Sequence, residues 1–215
     1  MHESTPPPPP QKVIKRRMPT EERQGEIIRV AVELAAEKGI DGVTTQDMAD
    51  AMKVTQGAIF KHFPTKDDIW LAVMHWIRGK LMTVVEKAAS EATDPIDAIE
   101  RMFFAHITFI GKHPAIPRLL FSEMLHRKNS KLRELIQEII SGYEGKVAGL
   151  LETAKAQSLV SHDLDSKNAA VLYIGMIQGL FMQVSIFGGK RTLLDEAKKT
   201  FPIYLHGIVK RRDDI

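Results

Sequence analysis

From Thr20 onward, apolar residues recur every three or four positions and never settle into the strict alternation of a strand. The pattern predicts an all-α protein. Thr20 to Lys38 read as a first amphipathic helix with Ile27, Ile28, Ala31, Leu34 and Ala35 on one face, and Gly39 suits a left-handed C-terminal cap. Thr44 and Asp47 have capping-box spacing, with Asp in place of the usual Glu, and open a short second helix whose inward side is Met48, Ala51 and Met52. A turn at Lys53-Val54 leads to Thr55, an N-cap for a third helix through Phe63, and Pro64 then breaks the chain. Thr65 caps a fourth helix that carries Asp67 and Asp68 in its first turn. The stripe Trp70, Val73, Met74, Ile77, Leu81, Val84, Val85 and Ala88 extends it over about 25 residues, or roughly 37 Å. Beyond the break at Thr93-Asp94-Pro95, helices are expected at about 95–111, 115–126, 129–157, 166–187 and 193–209.

Composition narrows the class. The 215 residues are 44% hydrophobic and 27% charged, enough to bury a core in one or two domains. The absence of cysteine removes disulfides, thiolate catalysis and cysteine-bound zinc, and it fits a reducing, cytoplasmic setting. Residues 1–18 run through five prolines, Pro6 to Pro10, into Lys12, Lys15, Arg16 and Arg17, which predicts a disordered, basic arm rather than a secretory signal. Asn168 to Gly189 carries no charge and is long enough to span a bilayer, but Gln178, Gln183 and Ser185 interrupt it, so a buried helix is expected and no membrane partner.

The net charge of +3 says little, but its distribution says more. Between Ala51 and Lys66 there are Lys53, Lys61, Lys66 and His62 and no acid. Two short helices joined by a tight turn, the second poor in acids, form a helix-turn-helix pattern. One helix must brace the other, here through Met48, Ala49, Val54 and Ile59. The second must present short side chains to the major groove, and Thr55, Gln56, Gly57 and Ala58 do so. Gln56 can pair with an adenine edge, and Ala58 can touch a thymine methyl. Lys61, His62, Lys66 and the hydroxyls of Thr45 and Thr55 are candidates to grip phosphates. From the pattern alone, a helical module that binds protein rather than DNA stays open.

Residues from about Thr20 to Leu81 resemble the DNA-binding domain of the tetracycline-repressor (TetR) family of bacterial regulators. The resemblance rests on the run Val54-Thr55-Gln56-Gly57-Ala58-Ile59-Phe60-Lys61-His62-Phe63-Pro64-Thr65-Lys66, supported by the stretch from Ala35 or Ala36 to Thr45. It implies a helix-turn-helix domain over 19–66 and a helical domain for ligand binding and dimerisation over 67–212. It also implies base readout from Gln56, Gly57, Ala58 and Gln46, with phosphate contacts from Thr45, Thr55, Lys61, His62 and Lys66. Two positions depart from the family pattern. Lys53 stands where the turn commonly has glycine, so a positive φ there would be strained. Phe60 stands where a tyrosine usually offers its hydroxyl to phosphate.

The resemblance further implies a repressor that binds a palindromic operator on double-stranded DNA as a homodimer and is released by a small effector. Gly175, Gly179 and Met182 on the uncharged helix are the expected dimer contacts, with the rival that this helix lies in the monomer core. An apolar effector would find Phe103, His106, Phe121, Met124, Tyr143, Tyr173 and Gln178, although such stripes also make ordinary cores. Motifs of hydrolases, phosphate loops and metal sites are missing, so no enzyme, cofactor or metal is expected. Asp163, Asp165 and Asn168 lack the later ligands of a calcium loop, and Asp165 reads better as a helix cap.

Overall fold

The computed structural model describes residues 19–118, 120, 130–188 and 190–209. The basic arm, Phe121 and Met124 lie outside them. Among the described residues the helices are α1 (Thr20–Lys38), α2 (Thr45–Ala51), α3 (Gln56–Phe60), α4 (Lys66–Ser90), α5 (Pro95–Lys112), α6 (Ser130–Ala156), α7 (Ser166–Ile186) and α8 (Leu193–Ile208). A helical turn over residues 115–118 follows α5. The only pairing of extended backbone among them is an isolated antiparallel bridge between Val160 and Val209.

Local chemistry sets these boundaries. The Thr44 and Thr65 hydroxyls accept from the backbone N–H groups of Asp47 and Asp68, whose carboxylates accept from the cap N–H groups in return, so α2 and α4 both open on complete capping boxes. Asp165 accepts from the N–H groups of Lys167 and Asn168 and caps α7, as expected. Gly42 closes the α1–α2 connection because a Cβ there would collide with the carbonyl oxygen of Lys38.

The structure corrects four expectations. Helix α3 ends at Phe60 rather than Phe63: Lys61 and His62 form a turn, and Pro64 disfavours helical backbone at Phe63. Ala51 is exposed, and Ala49 joins Met48 on the inward side of α2. Val84 is also exposed, since α4 turns that edge of its stripe past the neighbouring helices. Gly39 has the positive φ of 70° but an extended ψ of 165°, so it is not a left-handed helical cap. Lys53 does take a positive φ of 54°, the strained conformation its position implied.

Helix α4 packs on α1, α5 and α6, and α7 packs on α6 and α8. One hydrophobic core runs from Ile27 on α1 to Ile208 on α8 and continues past the start of α4. Ile59 fastens α3 to this core, where it is 1% exposed. An Ile59→Ala variant is expected to lose about 2–5 kcal/mol of stability in a urea titration, because five residues of helix have no other fully buried anchor.

Candidate DNA interface and effector cavity

The exposed surface of α3 is short and specific in make-up. Thr55 caps α3 by accepting from the N–H of Ala58 at 3.3 Å. Buried Ile59 and Phe63 face the core, which leaves Gln56, Gly57, Phe60 and Lys61 exposed and Ala58 half-buried. A Cβ at Gly57 would meet nothing within 4 Å, so nothing inside the fold calls for glycine there. The bare backbone at this point is therefore available for close approach by an outside partner. Among the described residues α3 has no acid, and Lys61 sits exposed at its C-cap.

The surrounding candidates are less free than the sequence suggested. Thr45 is 8% exposed. Its hydroxyl accepts from the Gln56 side-chain amide at 2.5 Å. Gln46 donates to the Asp50 carboxylate at 2.7 Å. Lys66 reaches the Ile40 carbonyl at 3.5 Å from the first turn of α4. The His62 carbonyl accepts from Gln24 at 3.3 Å, and the His62 Nδ1 is sealed without a partner. Lys38 pairs with Asp47 at 2.6 Å and, together with Thr44, holds that carboxyl well below the usual carboxylate range. The α1–α2–α3 unit is thus tied together on its solvent side as well as through its core.

A cavity of about 100 Å³ lies between α4, α5, α6 and α7. Its wall is chiefly isoleucine, leucine and phenylalanine, and His106, Tyr143 and Gln178 are the polar groups expected there that it contains. Phe103 and Tyr173 do not line it. Phe103 instead stacks on Phe201 at 4.5 Å between ring centroids and meets Phe104 and Tyr173 edge-on. The Tyr173 hydroxyl lies 3.4 Å from that of Tyr143 and donates to the Ile99 carbonyl at 3.3 Å, so burial costs these phenols no hydrogen bond. The sequence reading missed Met74, Ile77, Ile110 and Ile174, because an aliphatic side chain on a cavity wall has the same periodicity as one in a filled core.

His106 lines the cavity with its Nδ1 enclosed and unpartnered, and desolvation pushes its pKa down to about 4. The folded state therefore refuses a proton that the unfolded chain accepts near the ordinary value of 6.5. Stability from this residue is full above pH 6.5 and falls as the pH drops toward 4, by on the order of 3 kcal/mol at the low end. Urea midpoints measured between pH 7 and 4.5 should show this loss in the native chain and a flatter profile in His106→Gln.

Helices α7 and α8 turn an apolar face outward. Leu172, Gly175, Gly179, Met182 and Ile186 follow one another at three- and four-residue spacing on α7, with Leu172 61% and Ile186 72% exposed. Ile203 on α8 is 72% exposed and shares with Leu172 a groove of about 580 Å³ between the two helices. The opposite side of α7, including Tyr173, Ile174 and Ile177, is buried against its own bundle. Helix α7 is long and apolar enough to cross a membrane by length and composition, but this packing accounts for its apolar character on one side.

Known proteins share both the sequence of the first helices and the whole architecture. Residues 27–73 match the family described as bacterial regulatory proteins, tetR family. The chain is 24% identical over 158 residues to the nucleoid occlusion factor SlmA of Vibrio cholerae serotype O1, across 73% of this chain and 81% of that protein. Its fold is similar to a putative transcriptional regulator from Saccharomonospora viridis in complex with choline, with a TM-score of 0.79, 21% identity and coverage of 89% of this chain and 100% of that one. It is also similar to the transcriptional regulator FadR from Bacillus subtilis in complex with stearoyl-CoA, with a TM-score of 0.76, 22% identity and coverage of 86% and 98%. The matched residues span α1 to α4, so this segment is similar to the tetR family of bacterial regulatory proteins, and the fold of the whole chain is similar to that of these regulators.

Proposed function

We propose that the protein is a cytoplasmic, homodimeric transcriptional repressor that binds a two-fold symmetric operator through α3 and is released by a small apolar effector. The observation that carries this reading is the exposed, acid-free α3, anchored by Ile59 and bare at Gly57. Gln56, Gly57 and Ala58 are the base-reading positions, joined by Gln46 once its bond to Asp50 opens. Lys61, Thr55 and the N-terminal turn of α4 with Lys66 hold the phosphates, and His62 and Thr45 support that grip. Phe60, 40% exposed, can give the backbone an apolar contact but no hydrogen bond.

A helix of five residues reads few base pairs, so a pair of them is needed for a specific site. The face with Gly175, Gly179 and Met182 is the one we assign to the partner copy. The cavity beside α4 is where the effector acts, because α4 forms part of its wall and also follows directly on the α3 turn. An effector that fits one setting of α4 better than the other shifts the spacing of the two reading helices. The similar FadR and Saccharomonospora viridis regulators, in complex with stearoyl-CoA and choline respectively, support small-molecule binding here too.

Recovery of genomic fragments on the purified protein tests the reading. The sites should be two-fold symmetric, and binding should weaken steeply with added salt as counterion release is suppressed. Fragments without shared symmetry, or affinity indifferent to Lys61→Ala, would overturn it.

A further inference from the structure

A second opening adjoins the effector cavity. It is a groove of about 610 Å³ bounded by the end of α5, the end of α7 and the start of α8. Ile110 and Phe181 line both spaces, so two side chains make the wall between them. Their chemistry differs sharply. Among the described residues no charged side chain lines the cavity, while Arg118 and Arg191 line the groove with no carboxylate beside them. Neither guanidinium is in an ion pair among the described residues. Arg191 is held in place over the Phe187 ring, 4.0 Å from its centroid.

Resting on the reading of the cavity as the effector site, we propose that the effector is an anionic amphiphile whose apolar body fills the cavity and whose charged head lies in the groove against Arg118 and Arg191. An anion taken wholly into the cavity would be desolvated without a described cation to pair with, which costs several kcal/mol. The groove lets it stay partly hydrated and meet two forked donors suited to carboxylate or phosphate. Size points the same way. The cavity is of the order that holds a single small ring or short alkyl chain, by comparison with a cavity of about 150 Å³ that takes benzene. The groove is several times larger than a carboxylate needs and has room for a phosphate-bearing carrier. The start of α8 adds nothing to this, since Asp195 already occupies its first turn with Thr192.

Calorimetry on the full chain with octanoate, octanoyl-CoA, CoA alone and 1-octanol decides the matter, repeated with the double variant Arg118→Ala/Arg191→Ala. Arg118 is exposed, and half-buried Arg191 touches the exposed Phe187 ring rather than the core, so the variant should fold. At least one octanoyl anion is expected to bind roughly 10-fold tighter than octanol, and the double variant should erase that margin while leaving octanol unchanged. Arginine-dependent binding of octanoate identifies the carboxylate as the head, and arginine-dependent binding of octanoyl-CoA without octanoate identifies the carrier phosphates. The proposal is overturned if octanol equals both anions, if the double variant binds them unchanged, if octanoyl-CoA is the only anion bound and CoA alone equals it, or if none of the four binds. These readings come from ligand binding alone. Their failure leaves the DNA-binding reading standing, and a chain that binds the amphiphile but no DNA would sink only the latter.

Discussion

A Gly57→Leu variant is expected to remain folded and dimeric and to lose operator binding altogether. No atom lies within 4 Å of the Cβ position, and glycine inside a helix costs about 1 kcal/mol relative to alanine, so the free protein should melt at or slightly above the native temperature. In the major groove the added isobutyl group would stand where the backbone of α3 has to meet the base edges. Paired thermal melts and fluorescence anisotropy on a recovered site separate the two effects. Native-like operator affinity in this variant would mean that α3 does not enter a groove at all.

The second large effect is expected at Leu172→Glu. The side chain is 61% exposed in the single chain, so a carboxylate there should change monomer stability by no more than about 0.5 kcal/mol. Placed in an apolar interface it would be desolvated with no opposite charge to pair with, which would split the dimer. Sedimentation should then show a monomer, and affinity for a full operator should fall on the order of 100-fold while affinity for a half-site changes little. A variant that still sediments as a dimer would place the interface elsewhere.

Much of this architecture is legible in the residues because it is local. The capping spacings at Thr44 and Thr65, the stripe along α4 and the strained turn at Lys53 each depend on neighbours a few positions away. His106, Tyr143 and Gln178 were also visible as rare polar groups on apolar helices. What could not be read depends on which helix lies opposite. Phe103 and Tyr173 look like ligand contacts until α8 is seen packing on them, Phe201 stacked on Phe103 and Tyr204 edge-on to Tyr173. Val84 and Ala51 share the spacing of apolar stripes, yet each lies on an edge that no neighbouring helix covers. The basic groove is hidden for the same reason, since Arg118 and Arg191 are 73 positions apart and come to one groove only through the tertiary packing of the helices.

On the proposed reading of α3, the hydrogen bond from Gln56 to Thr45 makes two positions, eleven apart, behave as a single letter of any operator code. An amide already committed on one side arrives at the DNA with its orientation chosen, and only its remaining edge is left to discriminate between bases. A change at 45 that reaches no base would therefore alter which sequence is preferred, and substitutions at the two sites should combine non-additively in relatives that have diverged in operator choice.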